Sequence, residues 1–188
     1  MNYFSPGFTG YTDVTGHRPG RFTTAEFLHM AEVGAFADIK VELVDGEIER
    51  MHSSMGTHGS FQASIIVKLW SAAGRRVMGE TGIDLGRNTV LGCDAALLHR
   101  PMSEHRLLRP DEVELVVEVA QTSLDRDLGL KRARYAAAGI PYYWVVNTAD
   151  RVTYVFGRPV DRDYRDEGEV AFPAPLPVPG ADVAITLA

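Results

Sequence analysis

The run "ELVVEVAQTS", residues 114–123, constrains this chain more than any other stretch. Leu115, Val116, Val117 and Val119 are apolar and mostly β-branched, the composition of a buried strand. Along a strand, Leu115, Val117 and Val119 point one way and Val116, Glu118 and Ala120 the other. Both faces are apolar, so the strand is expected to be covered on both sides. Glu118 interrupts it. A buried carboxylate must lose its charge or find a cation. The sheet that holds this strand must therefore supply a partner for Glu118.

The 188 residues, 45% of them hydrophobic, suffice for one domain with a full core. The start "MNYFSPGFTG" lacks the basic and apolar regions of a signal peptide. No run approaches the ~18 apolar residues that span a membrane. A single cysteine, Cys93, excludes a disulfide framework and argues against a Cys-based zinc site. These features point to a soluble, cytoplasmic protein that does not enter a membrane. A net charge of −6 argues against a generic nucleic-acid coat, while leaving room for a local basic groove.

Residues 1–21 are Gly/Pro-rich and read as an extended arm; residues 22–188 read as a single domain. "FTTAEF" is a helix start, with Thr23 as N-cap, Glu26 three residues later, and Phe22 and Phe27 placed as a staple. "VELVDGEIERM" predicts a β-hairpin turning at Asp45-Gly46. A helix is predicted in "HGSFQASIIVKLWSAAGRRV", with Phe61, Ile65, Leu69 and Ala72 on one stripe. Strands follow around 81–86 and 89–98, then a polar loop over 99–112. After the Glu118 strand, "TSLDRDLGLKRARYAAAGIP" reads as a helix capped by Thr122 or Ser123 and stopped by Gly139 and Pro141. "YYWVV" and "RVTYVFG" are two further strands, with Tyr143 and Trp144 in the core. The Pro-rich tail ends in an edge strand. The order implies a mixed sheet with helices packed on it, an α/β or α+β layer domain.

Asp94 also interrupts an apolar, strand-like run, "VLGCDAALL". Two acids from adjacent buried strands can share a hard divalent cation through oxygen ligands. The plain alternative is that each acid stands near a strand end in water. In the hairpin, a two-residue turn pairs Glu42 with Glu49 and Val44 with Glu47, so Glu42, Glu47 and Glu49 share one face. Like charges directly opposite need solvent or a cation between them. Glu47 and Glu49 read as a wet outer face, and Glu42 as the one facing a site. Lys131 has Asp127 four residues earlier, so a helix-surface ion pair competes with a catalytic role. On the catalytic reading, with the ammonium partly hydrated, replacing Lys131 by Met is expected to lower the rate by about 10²-fold with little change in melting temperature, and losing Asp127 to leave the rate nearly intact. Tyr135 is placed to share the face of Lys131. His58 reads first as a core or capping histidine.

The chain from about 22 to 183 resembles the Uma2 family of restriction-endonuclease-like proteins, within the PD-(D/E)XK nuclease superfamily. The matching stretches are "VELVDGEIERM", "HGSFQASIIVKL", "GIDLGRNTVLGCDAALL" and "ELVVEVAQTSLDRDLGLKRARYAAAGIPYYWVV". The resemblance implies a restriction-endonuclease-like core, a central mixed sheet flanked by helices with acids at one end. It assigns Asp94 and Glu118 as the superfamily's acids and Glu42 as the family's early glutamate. The superfamily's lysine position is here Ala120, and the resemblance moves that role to Lys131. Cys93 stands where the family usually has proline.

By resemblance, Asp94, Glu118, the carbonyl of Ala120 and Glu42 would hold Mg2+ or Mn2+. Lys131 would orient or deprotonate the attacking water, or neutralise charge on the phosphate. His58 and Tyr135 would support them from behind. The implied function is metal-dependent phosphodiester hydrolysis with DNA as the default substrate. The alternatives are a degenerate nuclease fold that binds nucleic acid or protein without cutting, and a structural module whose acids are ordinary. Superfamily members often dimerise, which makes a homodimer the assembly to look for.

Overall fold

In a computed structural model, residues 20–51 and 56–188 are described; the arm expected over 1–21 lies outside them except for Gly20 and Arg21. Helix α1 (Thr24–Glu32) opens with the capping box read from the sequence, in which Thr23 and Glu26 bond each other reciprocally. The hairpin β1 (Val41–Val44) and β2 (Glu47–Arg50) has the anticipated register, with Glu42 opposite Glu49. Asp45 and Gly46 have φ of 50° and 85°, the left-handed pair of a type I′ turn. A Cβ on Gly46 would lie 2.8 Å from that of Arg21, so only glycine fits there.

Helix α2 (Gly56–Ala73) is followed by β3 (Val77–Gly86), β4 (Thr89–Leu98) and β5 (Val113–Ala120). A helical segment comes next: α3 (Leu124–Arg126), a π-helical turn at Asp127–Lys131, and α4 (Arg132–Ala137). It ends as a Schellman motif, with Gly139 at φ 79°. The Ile140 N–H bonds the Tyr135 carbonyl and the Gly139 N–H that of Ala136. Strands β6 (Tyr142–Asn147), β7 (Val152–Val160) and β8 (Asp163–Ala171) complete the main sheet. Its order is β2-β1-β4-β5-β6-β7-β8, with β3 also paired to β4. β5 and β6 run parallel and their neighbours antiparallel, so the sheet is mixed, as the element order implied.

The two faces of β5 are both covered, which is why it reads as continuously apolar. Leu115, Val117 and Val119 pack with Ile65 and Leu69 of α2. Val116 and Ala120 pack with Tyr135 and Ala136 of α4. The tail closes over the α2 face: β9 (Pro175–Pro177) and β10 (Ala184–Thr186) form their own two-stranded sheet, and Leu176 and Ile185 join that core.

Four features depart from the sequence reading. β3 begins at Val77, earlier than 81. β8, the polar run "DYRDEGEVA", has no strand signal in the sequence, because it is an edge strand with only Tyr164 buried and no alternation. The tail strand pairs with β9 rather than extending the main sheet. Ser123 caps no backbone group; its hydroxyl donates to Asp127 Oδ2 at 2.6 Å.

Leu69 is fully buried beneath α2. Leu69→Ala should lower the unfolding free energy by about 2–5 kcal/mol, read by urea denaturation. The loop before β5 is tied by Glu112 to Arg106, at 2.6 Å. Hydrogen bonding from Arg106 holds the Glu112 carboxyl down at about 2, below its ordinary 4.5. A depressed folded value gives stability that is present above pH 4.5 and lost as pH falls through about 2. Arg106→Gln should flatten the stability–pH curve in that window, measured by thermal melts.

Candidate active site

A strand has two hydrogen-bonding edges, and β4 has three partners. β3 lines one edge from Thr89 to Leu97. The other edge is shared: β1 pairs only at Val90, and β5 only from Ala95 to Leu98. Between these contacts, residues 91–94 face no strand on that edge. Their backbone groups still need partners. Side chains provide them. The Gly92 N–H donates to Glu42 Oε1 at 2.9 Å, and the Gly92 carbonyl accepts from Lys131 Nζ at 2.7 Å, with the Tyr135 hydroxyl oxygen 3.3 Å away. The gap is the wall of a cleft of about 610 Å³ lined by Glu42, Asp94, Glu118, Arg126, Asp127 and Lys131 among others.

Asp94 sits where β4 loses its regular alternation. Leu91 and Cys93 belong to the core under α4, whereas Ala95 and Leu97 pack under α2. The phase therefore reverses at Asp94. Opposite it on β3, Glu80 is skipped in the pairing and has φ 33°, a strained value for a non-glycine residue. The Asp94 side chain is freed from either core. Its Oδ2 accepts the Val119 N–H at 2.7 Å and lies 3.3 Å from His58 Nε2, and its carbonyl accepts from Gln62 at 3.1 Å. Ala95 is the last β4 residue paired with β5, opposite Val117, so Asp94 and Glu118 stand at matching positions just beyond.

The partner of Glu118 is Lys131. Both are 4% exposed. Lys131 Nζ lies 2.9 Å from Glu118 Oε1 and 3.2 Å from Glu42 Oε1, and the Tyr135 hydroxyl donates to Glu118 Oε1 at 2.9 Å. Burial pushes the Glu118 carboxyl up, with the Lys131 ammonium opposing and Asp127 and Asp94 adding to the rise. Burial works against the Lys131 charge too, but Glu118, Glu42 and Asp127 outweigh it and hold the ammonium above its ordinary value.

Glu42 is 3% exposed. The cation between it and Glu49 is Arg126, which reaches Glu42 Oε2 at 2.7 Å and Glu49 Oε2 at 2.6 Å. Glu49 therefore joins the site, contrary to its reading as a wet face, while Glu47 is exposed as anticipated. The surface reading of Lys131 and Asp127 also fails. Asp127 is 2% exposed and bonds Ser123. Burial pushes its carboxyl up. Ala120 lies apart: its carbonyl accepts the backbone N–H and hydroxyl of Thr148, and it does not line the cleft. Cys93 is buried and free.

The sequence reading did not single out Arg126, and it placed Asp127 on the helix surface. In an ordinary α-helix, residues five apart lie on different faces, so Arg126 and Lys131 would not both meet Glu42. The π-helical turn, with its i to i+5 spacing, brings them together.

Removing Lys131 would leave buried carboxylates uncompensated. Lys131→Met should therefore lower the stability of the protein by about 3–5 kcal/mol, seen in urea titrations in EDTA. The small change expected of a hydrated lysine would contradict the buried geometry.

A family model described as "Putative restriction endonuclease", Uma2, matches residues 24–187. A crystal structure from Anabaena variabilis ATCC 29413, described as "a putative nuclease belonging to DUF820", superposes with a TM-score of 0.69 at 16% identity. The match covers 88% of this chain and 94% of that one. No curated protein matches the chain. The model match spans nearly the whole described domain, and the chain belongs to the Uma2 family.

Proposed function

We propose that this protein is a metal-dependent endonuclease that hydrolyses phosphodiester bonds in DNA. The observation that carries the reading is the placement of Asp94 and Glu118 at matching positions just past the Ala95–Val117 pair, with the Lys131 ammonium against Glu118. The family description, "Putative restriction endonuclease", supports a nuclease reaction, and DNA is the substrate we read from it.

The donor set fits a hard divalent ion. Hydrogen bonds among the described residues go to Asp94 Oδ2 and Glu118 Oε1, which leaves Asp94 Oδ1 and Glu118 Oε2 for a cation. No group of three or more His, Cys, Asp or Glu side chains among the described residues is arranged around one ion. Mg2+ is commonly held by one or two carboxylates, keeping water and substrate oxygens in its remaining positions, and Mn2+ accepts similar oxygen donors. Asp94 and Glu118 would hold it. Glu42 and the Ala120 carbonyl are engaged elsewhere, as described above. When bound, such an ion stabilises charge on a phosphoryl oxygen and acidifies its water.

The chain's own groups have separate tasks. His58 and the Val119 N–H fix the Asp94 carboxylate. Tyr135 fixes Glu118. Lys131 offers a fixed positive charge where negative charge develops on the phosphate.

The test is cleavage of supercoiled plasmid, single-stranded DNA and RNA with Mg2+ or Mn2+, against EDTA. Wild type should cut DNA only with the ion. Asp94→Asn and Glu118→Gln should each lose about 10²-fold or more while remaining folded by circular dichroism. Cutting in EDTA, or an Asp94→Asn protein as fast as wild type, would sink the reading.

A further inference from the structure

The Lys131 ammonium donates to the Gly92 carbonyl at 2.7 Å and to Glu118 Oε1 at 2.9 Å, and it forms an ion pair with Glu42 Oε1 at 3.2 Å. Three oxygens thus surround a group that has three N–H donors. Of the three, only that of Glu118 belongs to a candidate cation ligand. The Gly92 carbonyl is fixed by the strand. Glu42 is fixed on both oxygens: Oε1 accepts the Gly92 N–H at 2.9 Å, and Oε2 accepts Arg126 at 2.7 Å. Arg126 is held in turn by Glu49.

We infer that Glu42 is a positioning residue for Lys131 and not a metal ligand. Together with the Gly92 carbonyl it retains the ammonium at the cleft when Glu118 turns to a cation. The N–H released by Glu118 is then the one that meets the anionic substrate. This inference rests on the Asp94–Glu118 cation site proposed above.

The competing role, Glu42 as a third carboxylate ligand, has a physical cost. Rotating its carboxylate away would strip the Gly92 N–H of its partner in a wall where no strand can replace it. It would also leave Arg126 with one carboxylate, although its Nε is already buried without a partner. Buried donors left unpaired are penalised, charged ones most. The hairpin places Glu42 to brace the gap beside Lys131, which leaves Asp94 and Glu118 to serve a hard ion.

Mn2+ binding by calorimetry on wild type, Glu118→Gln and Glu42→Gln separates the roles. Glu118→Gln should weaken binding by tenfold or more. Glu42→Gln should bind within about threefold of wild type, yet lose cleavage through kcat with KM little changed. A merely structural defect would not produce that split. In case Glu42→Gln does not fold, carboxyl 13C NMR of the wild type under Ca2+ titration gives the same answer. The Glu118 and Asp94 signals should move and the Glu42 signal should stay. If Glu42→Gln weakens Mn2+ as much as Glu118→Gln, or the Glu42 signal moves with that of Glu118, the positioning role is overturned and the cation site stands. If wild type binds no Mn2+, the cation site falls and this role with it.

Discussion

β4 has two edges and three neighbours, and most of the chemistry of this molecule follows from that mismatch. Two strands cannot share one edge without leaving a stretch between them unpaired. An unpaired stretch in the middle of a sheet must be satisfied by something, since buried backbone groups without partners are costly. Here the something is a set of charged side chains from β1 and the helical segment after β5. The gap is thus a place where carboxylates and an ammonium are required by the backbone itself, and Gly92 is its centre.

Burying these charges has its own cost. A buried ion pair often contributes little to stability relative to an apolar packing of similar volume. Glu42, Glu118, Asp127 and Lys131 are all buried, a dense cluster for a domain of this size. Their environments push the Glu118 and Asp127 carboxyls up and the Lys131 ammonium up as well. Perturbed groups gathered at a cleft are characteristic of functional sites. The gap explains why Glu42 and Lys131 are charged. It does not by itself require Asp94 or Asp127.

Much of this was legible because local signals and tertiary structure agree. The Asp-Gly turn fixed the hairpin register and so placed Glu42 opposite Glu49. Thr23 with Glu26, and Gly139 before Pro141, marked helix ends that were found where the residues put them. An acid inside an apolar run on both faces pointed to Glu118 as buried and partnered. What stayed hidden has equally physical reasons. β8 shows water to most of its side chains, so it carries no period-2 signal. Asp127 and Lys131 stand four apart like an ordinary surface pair, and periodicity cannot say that the sheet covers that face. The π-helical turn has no residue signature, so Arg126 could not be phased with Lys131.

The charge of the cleft bears on what it can receive. Its lining holds six carboxylates, Glu42, Glu49, Glu80, Asp94, Glu118 and Asp127, against the four cations Lys40, Arg50, Arg126 and Lys131. Several of the cations are already spent: Lys40 pairs with Glu80, and Arg126 with Glu42 and Glu49. A wall of this sign repels a phosphate diester, and the net charge of −6 gives no long-range attraction to offset it. Shortage of free cations in the floor of the site is the condition a divalent ion relieves, since one ion at Asp94 and Glu118 cancels the local excess of two carboxylates. On the function proposed above, the acidic floor would make binding of a phosphate diester conditional on the ion.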